Sequence, residues 1–336
     1  MKRNPLPRFA LCLLAAVCPL GPALAGDLTV KVMDVGQGDA VLVRCPDGDH
    51  TLLIDAGCIT ILYPGSVKMF KDQINSAFEG QERVITTVVT SHPHADHIGN
   101  MQWVLDEFAV ENYVDNGEVT EKPMSVKLHE RVEEMNDQGA LTYWDLKDLT
   151  VVENIPFCPK TKLKVVSPRG WNEDLDDIND GSLIVRLEYG QKSFLFVGDA
   201  EEPAEETLRE HGGDLLNVDV LKVGHHGSHS SSTKAFIEAV SPDIAIISCG
   251  SKDVGANKKT YKHPRLVTMA TYNTWFGGLS PVDHPETGAV FAYNAEDEEW
   301  QSVTRRYGLW MTVNDGTVTV TCDGANVNAT PEKTQP

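Results

Sequence analysis

The chain has 336 residues, 41% of them apolar, enough for one large domain or two modest ones around a substantial core. Its formal charge of −20 argues against a broad nucleic-acid surface, because backbone phosphates are bound chiefly by Lys and Arg releasing counterions. It leaves room only for a local basic strip at Lys252, Lys258, Lys259, Lys262 and Arg265.

Residues 1–25 read as a secretory signal peptide. Lys2, Arg3 and Arg8 give the positive start, Phe9 to Val17 the apolar run, and Ala23-Leu24-Ala25 the small residues before cleavage at Gly26. No later stretch is long and apolar enough to span a bilayer, so a periplasmic or secreted protein is expected. Cleavage leaves Cys45, Cys58, Cys158, Cys249 and Cys322 without a CxxC pair. A cysteine-based zinc site is therefore not expected, while an oxidising compartment allows one or two disulfides whose pairing stays open.

In chain order, Leu28–Val35, Ala40–Arg44 and Thr51–Ile54 read as an antiparallel meander, turning at Gly36-Gln37-Gly38-Asp39 and Pro46-Asp47-Gly48-Asp49. Lys68–Phe78 has helical spacing, and the β-branched run Val84–Thr90 predicts a buried strand that stops at a polar loop, Ser91–His97. Ile98–Phe108 and Val126–Asn136 read as helices. Strand signals return at Leu163–Val166, Leu183–Leu187, Ser193–Val197, Val218–Val223 and Ile244–Ser248, with helices at Glu201–His211 and Thr233–Ala239. Strands mixed with helices in both halves predict an α+β fold of two packed sheets with helices outside. Residues 26–323 read as one domain, with an irregular acidic insertion at 280–302 and a disordered tail at 324–336.

Three of these strands end in candidate metal ligands. The densest segment is Ser91-His92-Pro93-His94-Ala95-Asp96-His97-Ile98-Gly99, three imidazoles and a carboxylate within six residues at the end of a buried strand. Neutral imidazoles suit Zn²⁺ and similar ions, and a carboxylate completes or bridges such a site. Ser193–Val197 runs into Gly198-Asp199, where a buried carboxylate is costly unless paired or metal-bound. Val218–Val223 runs into Gly224-His225-His226-Gly227-Ser228, whose glycines mark a turn rather than core.

Taken together, these segments resemble the ComEC-like branch of the metallo-β-lactamase superfamily. The likeness extends to Asp34–Asp39, Leu53-Ile54-Asp55-Ala56-Gly57, Asn179-Asp180-Gly181-Ser182-Leu183, Asn257 through His263-Pro264, and Asp315–Val320, and covers residues 28 to about 322. It implies a four-layer αβ/βα sandwich, two mixed β-sheets flanked by helices, with two divalent metal ions at one edge, Zn²⁺ first and Mn²⁺ as rival. Carried over residue by residue, His92 and His94 hold the first metal. Asp96 and His97 hold the second, Asp199 bridges, and His225 completes the second site. Asp96, His226 and His263 are the catalytic candidates, while Asp39, Asp55, Asn179, Asp180 and Ser228 orient ligands or meet substrate. One departure stands out: many members place a further histidine between HxHxDH and the bridging aspartate. Here His129, in a predicted surface helix, is the sole histidine of that interval, and the Asn179-Asp180 region takes the position.

The resemblance implies a metal-dependent hydrolase whose hydroxide, shared by two cations, attacks a phosphodiester of a small-molecule or nucleic-acid substrate; the signal peptide makes it an exported one, and the acidic charge argues against a stable nucleic-acid complex. A lactone, lactam or ester hydrolase, and a catalytically weak metal-binding protein of the same fold, remain the alternatives at this stage. Oligomeric state is left open.

Overall fold

The computed structural model describes residues 26–147, 149–277 and 289–333; the expected signal peptide, residues 1–25, lies outside them. The front half supplies β1 (Leu28–Val32), β2 (Val41–Arg44), β3 (Thr51–Ile54), β4 (Val84–Val89), β5 (Ala109–Asp115) and β6 (Thr142–Asp145). The back half supplies β7 (Val151–Val152), β8 (Thr161–Val166), β9 (Ile184–Tyr189), β10 (Lys192–Phe196), β11 (Val220–Lys222) and β12 (Ile244–Ile247). A hairpin of β13 (Ala289–Asn294) and β14 (Glu299–Thr304) follows, then β15 (Leu309–Met311), β16 (Val318–Cys322) and β17 (Val327–Pro331). One sheet has the order β17-β16-β1-β2-β3-β4-β5-β6 and the other β15-β12-β11-β10-β9-β8-β7. Both are mixed: β3 to β6 run parallel in the first, and β10, β11, β12 and β15 in the second.

Strand alternation builds the layers. Along β10, Phe194 and Phe196 enter the core between the sheets, while Leu195 and Val197 face the opposite way. In β2, Val41 and Val43 join the same inner core and Leu42 points outward. Strands buried on both faces read as continuous apolar runs, which is why they stand out in the sequence. Helices α1 (Ser66–Ala77), α2 (Ala95–Ile98), α3 (Met101–Glu107) and α4 (Pro123–Asp137) cover the first sheet through Phe70, Ile74, Met101, Val104, Leu128 and Val132. Helices α5 (Glu202–His211), α6 (Lys234–Val240) and α7 (Leu266–Phe276) cover the second through Ala204, Leu208, Phe236, Ile237, Met269 and Tyr272, and a short α8 (Thr312–Asp315) follows β15. The α+β sandwich of two mixed sheets flanked by helices is therefore observed.

A Cys45–Cys158 disulfide, with Cα atoms 5.7 Å apart, ties the end of β2 to the segment before β8; Cys58, Cys249 and Cys322 are buried thiols. Two expectations need correction. Residues 324–333 are not a disordered tail, because β17 pairs with β16 from Val318↔Pro331 to Cys322↔Val327; residues 334–336 lie outside the described residues. The stretch 280–302 is not irregular where it is described: residues 289–302 belong to the β13–β14 hairpin, whose Val290 and Ala292 pack into the second sheet's outer core. Residues 280–288 lie outside the described residues.

Candidate metal centre

The carboxyl ends of the parallel strands point to one edge of the sandwich, and the segments that follow them meet there. Asp55 follows β3, Ser91–His97 follow β4, Asp199 follows β10, His225 and His226 follow β11, and Ser248 follows β12. The loop before β2 closes the floor. Gly38 has φ 144°, and a Cβ there would stand 2.4 Å from the Asp96 carbonyl. Only glycine lets this loop approach so closely, and the approach is fixed by the Asp39 N–H donating to that carbonyl at 3.0 Å.

Asp199 sits at the centre, 2% exposed. Its Oδ1 lies 3.2 Å from His97 Nε2 and 3.5 Å from His226 Nε2, and its Oδ2 lies 3.7 Å from His225 Nε2 and 3.9 Å from His92 Nε2. Asp96 Oδ2 stands 3.6 Å from His226 Nε2. His94 flanks His92, with Nδ1 3.0 Å from His92 Nε2. The donor atoms of His92, His97 and Asp199 lie within 4.8 Å of one another, as do those of Asp96, His97 and His226. His97 Nε2, His226 Nε2 and Asp199 Oδ1 are all buried, and none makes a hydrogen bond. Leaving such atoms unsatisfied is expensive. Three of them converging on one space, with Asp96 beside them, fit a divalent cation, and so do the imidazole and carboxylate donors themselves.

The rings are aimed from behind. His97 Nδ1 donates to Asp55 Oδ2 at 2.8 Å, and Asp55 also accepts from the Ser91 N–H and hydroxyl, both at 2.8 Å. His226 Nδ1 donates to the Ser248 carbonyl at 3.0 Å and lies 3.2 Å from Asp39 Oδ1. His225 Nδ1 pairs with Glu201 Oε1 at 2.8 Å. Each carboxylate fixes the tautomer that leaves Nε2 facing inward. Backbone strain separates the two neighbouring histidines: His225 (φ 44°, ψ 46°) and His226 (φ 52°, ψ 23°) are both left-handed, a conformation held only where the surroundings require it. Their rings end 6.2 Å apart at 72° and reach different oxygens of Asp199.

Electrostatics follow from this packing. Burial opposes ionisation of Asp199, but His226, His97 and His225 outweigh it and hold its pKa well below the usual range. Burial also opposes charging of His97 and His226. Asp199 and Asp55 nevertheless raise His97 well above its ordinary value, and Asp199 and Asp39 raise His226 to about 10. For Asp39, burial is overcome by Lys222 and His226, which lower it to about 2; the buried Lys222 ammonium sits 2.6 Å from Asp39 Oδ2. A cation entering such a centre would have to displace the protons these charges hold on His97 and His226.

All the metal-ligand candidates from the sequence are brought together, but two are placed differently from expectation. His226 lies with Asp96 and His97, where His225 was expected, and His225 lies on the Asp199 Oδ2 side with His92. That side therefore carries a third histidine from the turn after β11, not from the interval between HxHxDH and Asp199. The Asn179-Asp180 region does not replace one: Asp180 Oδ1 accepts from the N–H groups of Glu201 and Ala204 at the start of α5, and Asn179 donates to Glu201. Ser228 Oγ lies 2.9 Å from the Ser230 hydroxyl, which in turn reaches Glu201 and His225. His263, 5% exposed, has its ring 5.2 Å from that of His225 and 6.2 Å from that of His226, and its Nδ1 has no hydrogen-bond partner. Sequence reasoning missed Glu201, Lys222 and Tyr261. Lys222 carried a signal, a lone cation in an apolar run. Tyr261 stacks on His263 at 6.0 Å, and burial with the charges of Asp96, Cys58 and Asp199 raises its phenol pKa.

Residues 33–251, more than half of the chain, match the metallo-beta-lactamase superfamily. The chain belongs to that superfamily. It is 27% identical over 254 residues to ComE operon protein 3 of Bacillus subtilis (strain 168), covering 72% of this chain and 30% of that protein. It is 30% identical over 259 residues to competence protein ComA of Neisseria gonorrhoeae, covering 76% and 31%. The chain thus spans about a third of the length of these curated relatives, and the ComEC-like resemblance agrees with them. Among solved structures it is similar to the metallo-beta-lactamase fold protein YhfI from Bacillus subtilis, with TM-score 0.41 and 11% identity over 67% of this chain and 89% of that one. Among the described residues no helix is long and apolar enough to cross a membrane.

Proposed function

We propose that this member of the superfamily is an exported hydrolase of phosphodiesters that works with two divalent cations. The observation that carries the reading is the convergence of buried, unpartnered His97 Nε2, His226 Nε2 and Asp199 Oδ1 beside Asp96. His92, His94 and His225 would hold one cation, Asp96, His97 and His226 the other, with Asp199 between them; the histidines favour Zn²⁺ over Mn²⁺. A cation pair of this kind supplies Lewis acidity and lowers the pKa of nearby water. Asp55, Asp39 and Glu201 keep the rings in register. Tyr261, kept protonated, donates to a phosphoryl oxygen, and His263, which burial and then His225 and His226 hold neutral, meets the leaving oxygen. Export agrees with the Cys45–Cys158 disulfide, a bond of oxidising compartments.

The test is the metal content of the purified protein beside an Asp199→Asn variant, with turnover of a bis-aryl phosphodiester, single-stranded DNA and a lactam. About two equivalents in the parent, fewer in the variant, and phosphodiester turnover are expected. Turnover of the lactam alone would overturn the assignment.

A further inference from the structure

The basic strip and the β13–β14 hairpin meet beside the metal centre, and neither is used by the chemistry above. Alternation sends Val290 and Ala292 into the core and leaves Phe291 and Tyr293 on the opposite face, where Tyr293 pairs with Trp300 across the hairpin. Those two rings stand 5.6 Å apart at 69°. Cations from the preceding loop cover this aromatic face: Lys252 Nζ is 4.9 Å from the Phe291 centroid, and Lys262 Nζ and Arg265 Cζ are 4.3 Å and 5.2 Å from the Tyr293 centroid. Between 252 and 265 the sequence carries Lys252, Lys258, Lys259, Lys262 and Arg265 against the single acid Asp253. Lys252 also pairs with Asp253, but that partner is exposed and the pair is weak.

A cavity of about 230 Å³ opens here, lined by Ser251, Lys252, His263, Phe291 and Trp300 among others. Phe291 is 47% exposed, so part of its ring stays open to a ligand beside Lys252. His263 belongs to both spaces, touching the His225 and His226 rings on one side and lining the cavity on the other, with Nδ1 unpartnered. The cavity is small and carries two aromatic rings, His263 and the Lys252–Asp253 pair in its lining, with Lys262 and Arg265 on the neighbouring Tyr293 ring. Flat rings beside cations are how unpaired bases are held without sequence readout.

We infer that the hairpin and the strip form a subsite for one nucleoside phosphate, the base against Phe291 and Trp300 and the phosphate toward His263. This rests on the phosphodiesterase reading. The nucleoside phosphate arrives either as a free nucleotide or as the end of a single strand.

The test uses the metal-loaded protein and two substrates with one leaving group, thymidine 5′-(p-nitrophenyl phosphate) and methyl p-nitrophenyl phosphate. The parent should show a KM about tenfold lower for the thymidine ester, from one stacked base. Phe291→Ala and Trp300→Ala should remove that preference while leaving the methyl ester unchanged, and Phe291→Tyr should keep it. A parent without the preference, or a Phe291→Ala variant that retains it, overturns the subsite while the hydrolase stands. If neither ester is turned over, the hydrolase reading fails, and equilibrium dialysis decides the subsite alone. Thymidylate or a (dT)8 strand bound by the parent and about tenfold more weakly by Phe291→Ala supports it, the ligand retained identifying the source. No binding, or equal binding, overturns it.

Discussion

Replacing Glu201 with Ala separates the two proposed cation sites. Glu201 Oε1 accepts from His225 Nδ1 at 2.8 Å, from the Ser230 hydroxyl at 2.8 Å and from the Asn179 amide at 3.2 Å. Losing a carboxylate behind a ligating imidazole typically weakens metal binding about 10- to 100-fold. Ser230 Oγ already lies 3.3 Å from the same His225 nitrogen and takes over part of the orienting role, which places the expected loss near tenfold, about 1.4 kcal/mol. The fold should tolerate the change. The start of α5 is capped by Asp180 through backbone N–H groups that alanine keeps, so about 1 kcal/mol of stability is at stake from the lost hydrogen bonds. Titration of metal-depleted protein with zinc in a competing chelator should show one equivalent binding as in the parent and the other about tenfold more weakly, with thermal unfolding moved by only a few degrees. Equal weakening of both equivalents would mean that His225 does not belong to one set. Unchanged binding of both would mean that Glu201 does not position a ligand at all.

Three further outcomes are expected. Metal affinity should rise with pH from 6 to 8, because the proton that Asp199 and Asp39 hold on His226 up to about pH 10 must leave before Nε2 can ligate. Each displaced proton is worth about tenfold per pH unit, and chelator competition corrected for the chelator's own protonation would expose a flat profile as a failure. Glu205, 1% exposed, has its pKa raised to about 7 by burial, against the Thr233 and Ser232 N–H groups. A raised carboxyl favours the fold at low pH and loses that benefit as pH climbs from about 4.5 through 7, so the stability of the parent relative to Glu205→Gln should fall by about 3 kcal/mol between pH 4.5 and 8 in urea denaturation; a constant difference would refute this. Replacing Cys45 and Cys158 together by Ala opens a 113-residue loop and should cost about 2–5 kcal/mol, read as a lower denaturant midpoint, whereas an unchanged midpoint would show that the bond adds nothing.

The parts of the site that could be read in the sequence are those that interrupt an apolar strand. His92–His97, Asp199 and His225-His226 each end a buried strand run rich in Val, Ile, Leu and Phe, with threonines in Val84–Thr90 and Asp219 and Lys222 in Val218–Val223, so the polar cluster at its mouth is conspicuous. What could not be read depends on contacts between segments or on backbone angles. Glu201 looks like one more acidic residue at the N-cap of α5, ahead of Glu202 and Glu205, and only the fold brings His225 and Ser230 to it. The division of labour between His225 and His226 is set by two left-handed residues in succession, which no spacing rule foresees. Edge elements hide for a different reason. β17 is a polar edge strand, Val327-Asn328-Ala329-Thr330-Pro331, with too little apolar surface to announce itself, and β14, Glu299–Thr304, is exposed or half-buried throughout. Such strands are specified by the partner they extend rather than by their own hydrophobic pattern. Local reading therefore recovers the ligand-bearing strand ends and loses the supporting shell. The positions where a substitution would most directly test the metal centre, Glu201, Lys222 and Tyr261, are accordingly those whose roles appear only once the two sheets are packed together.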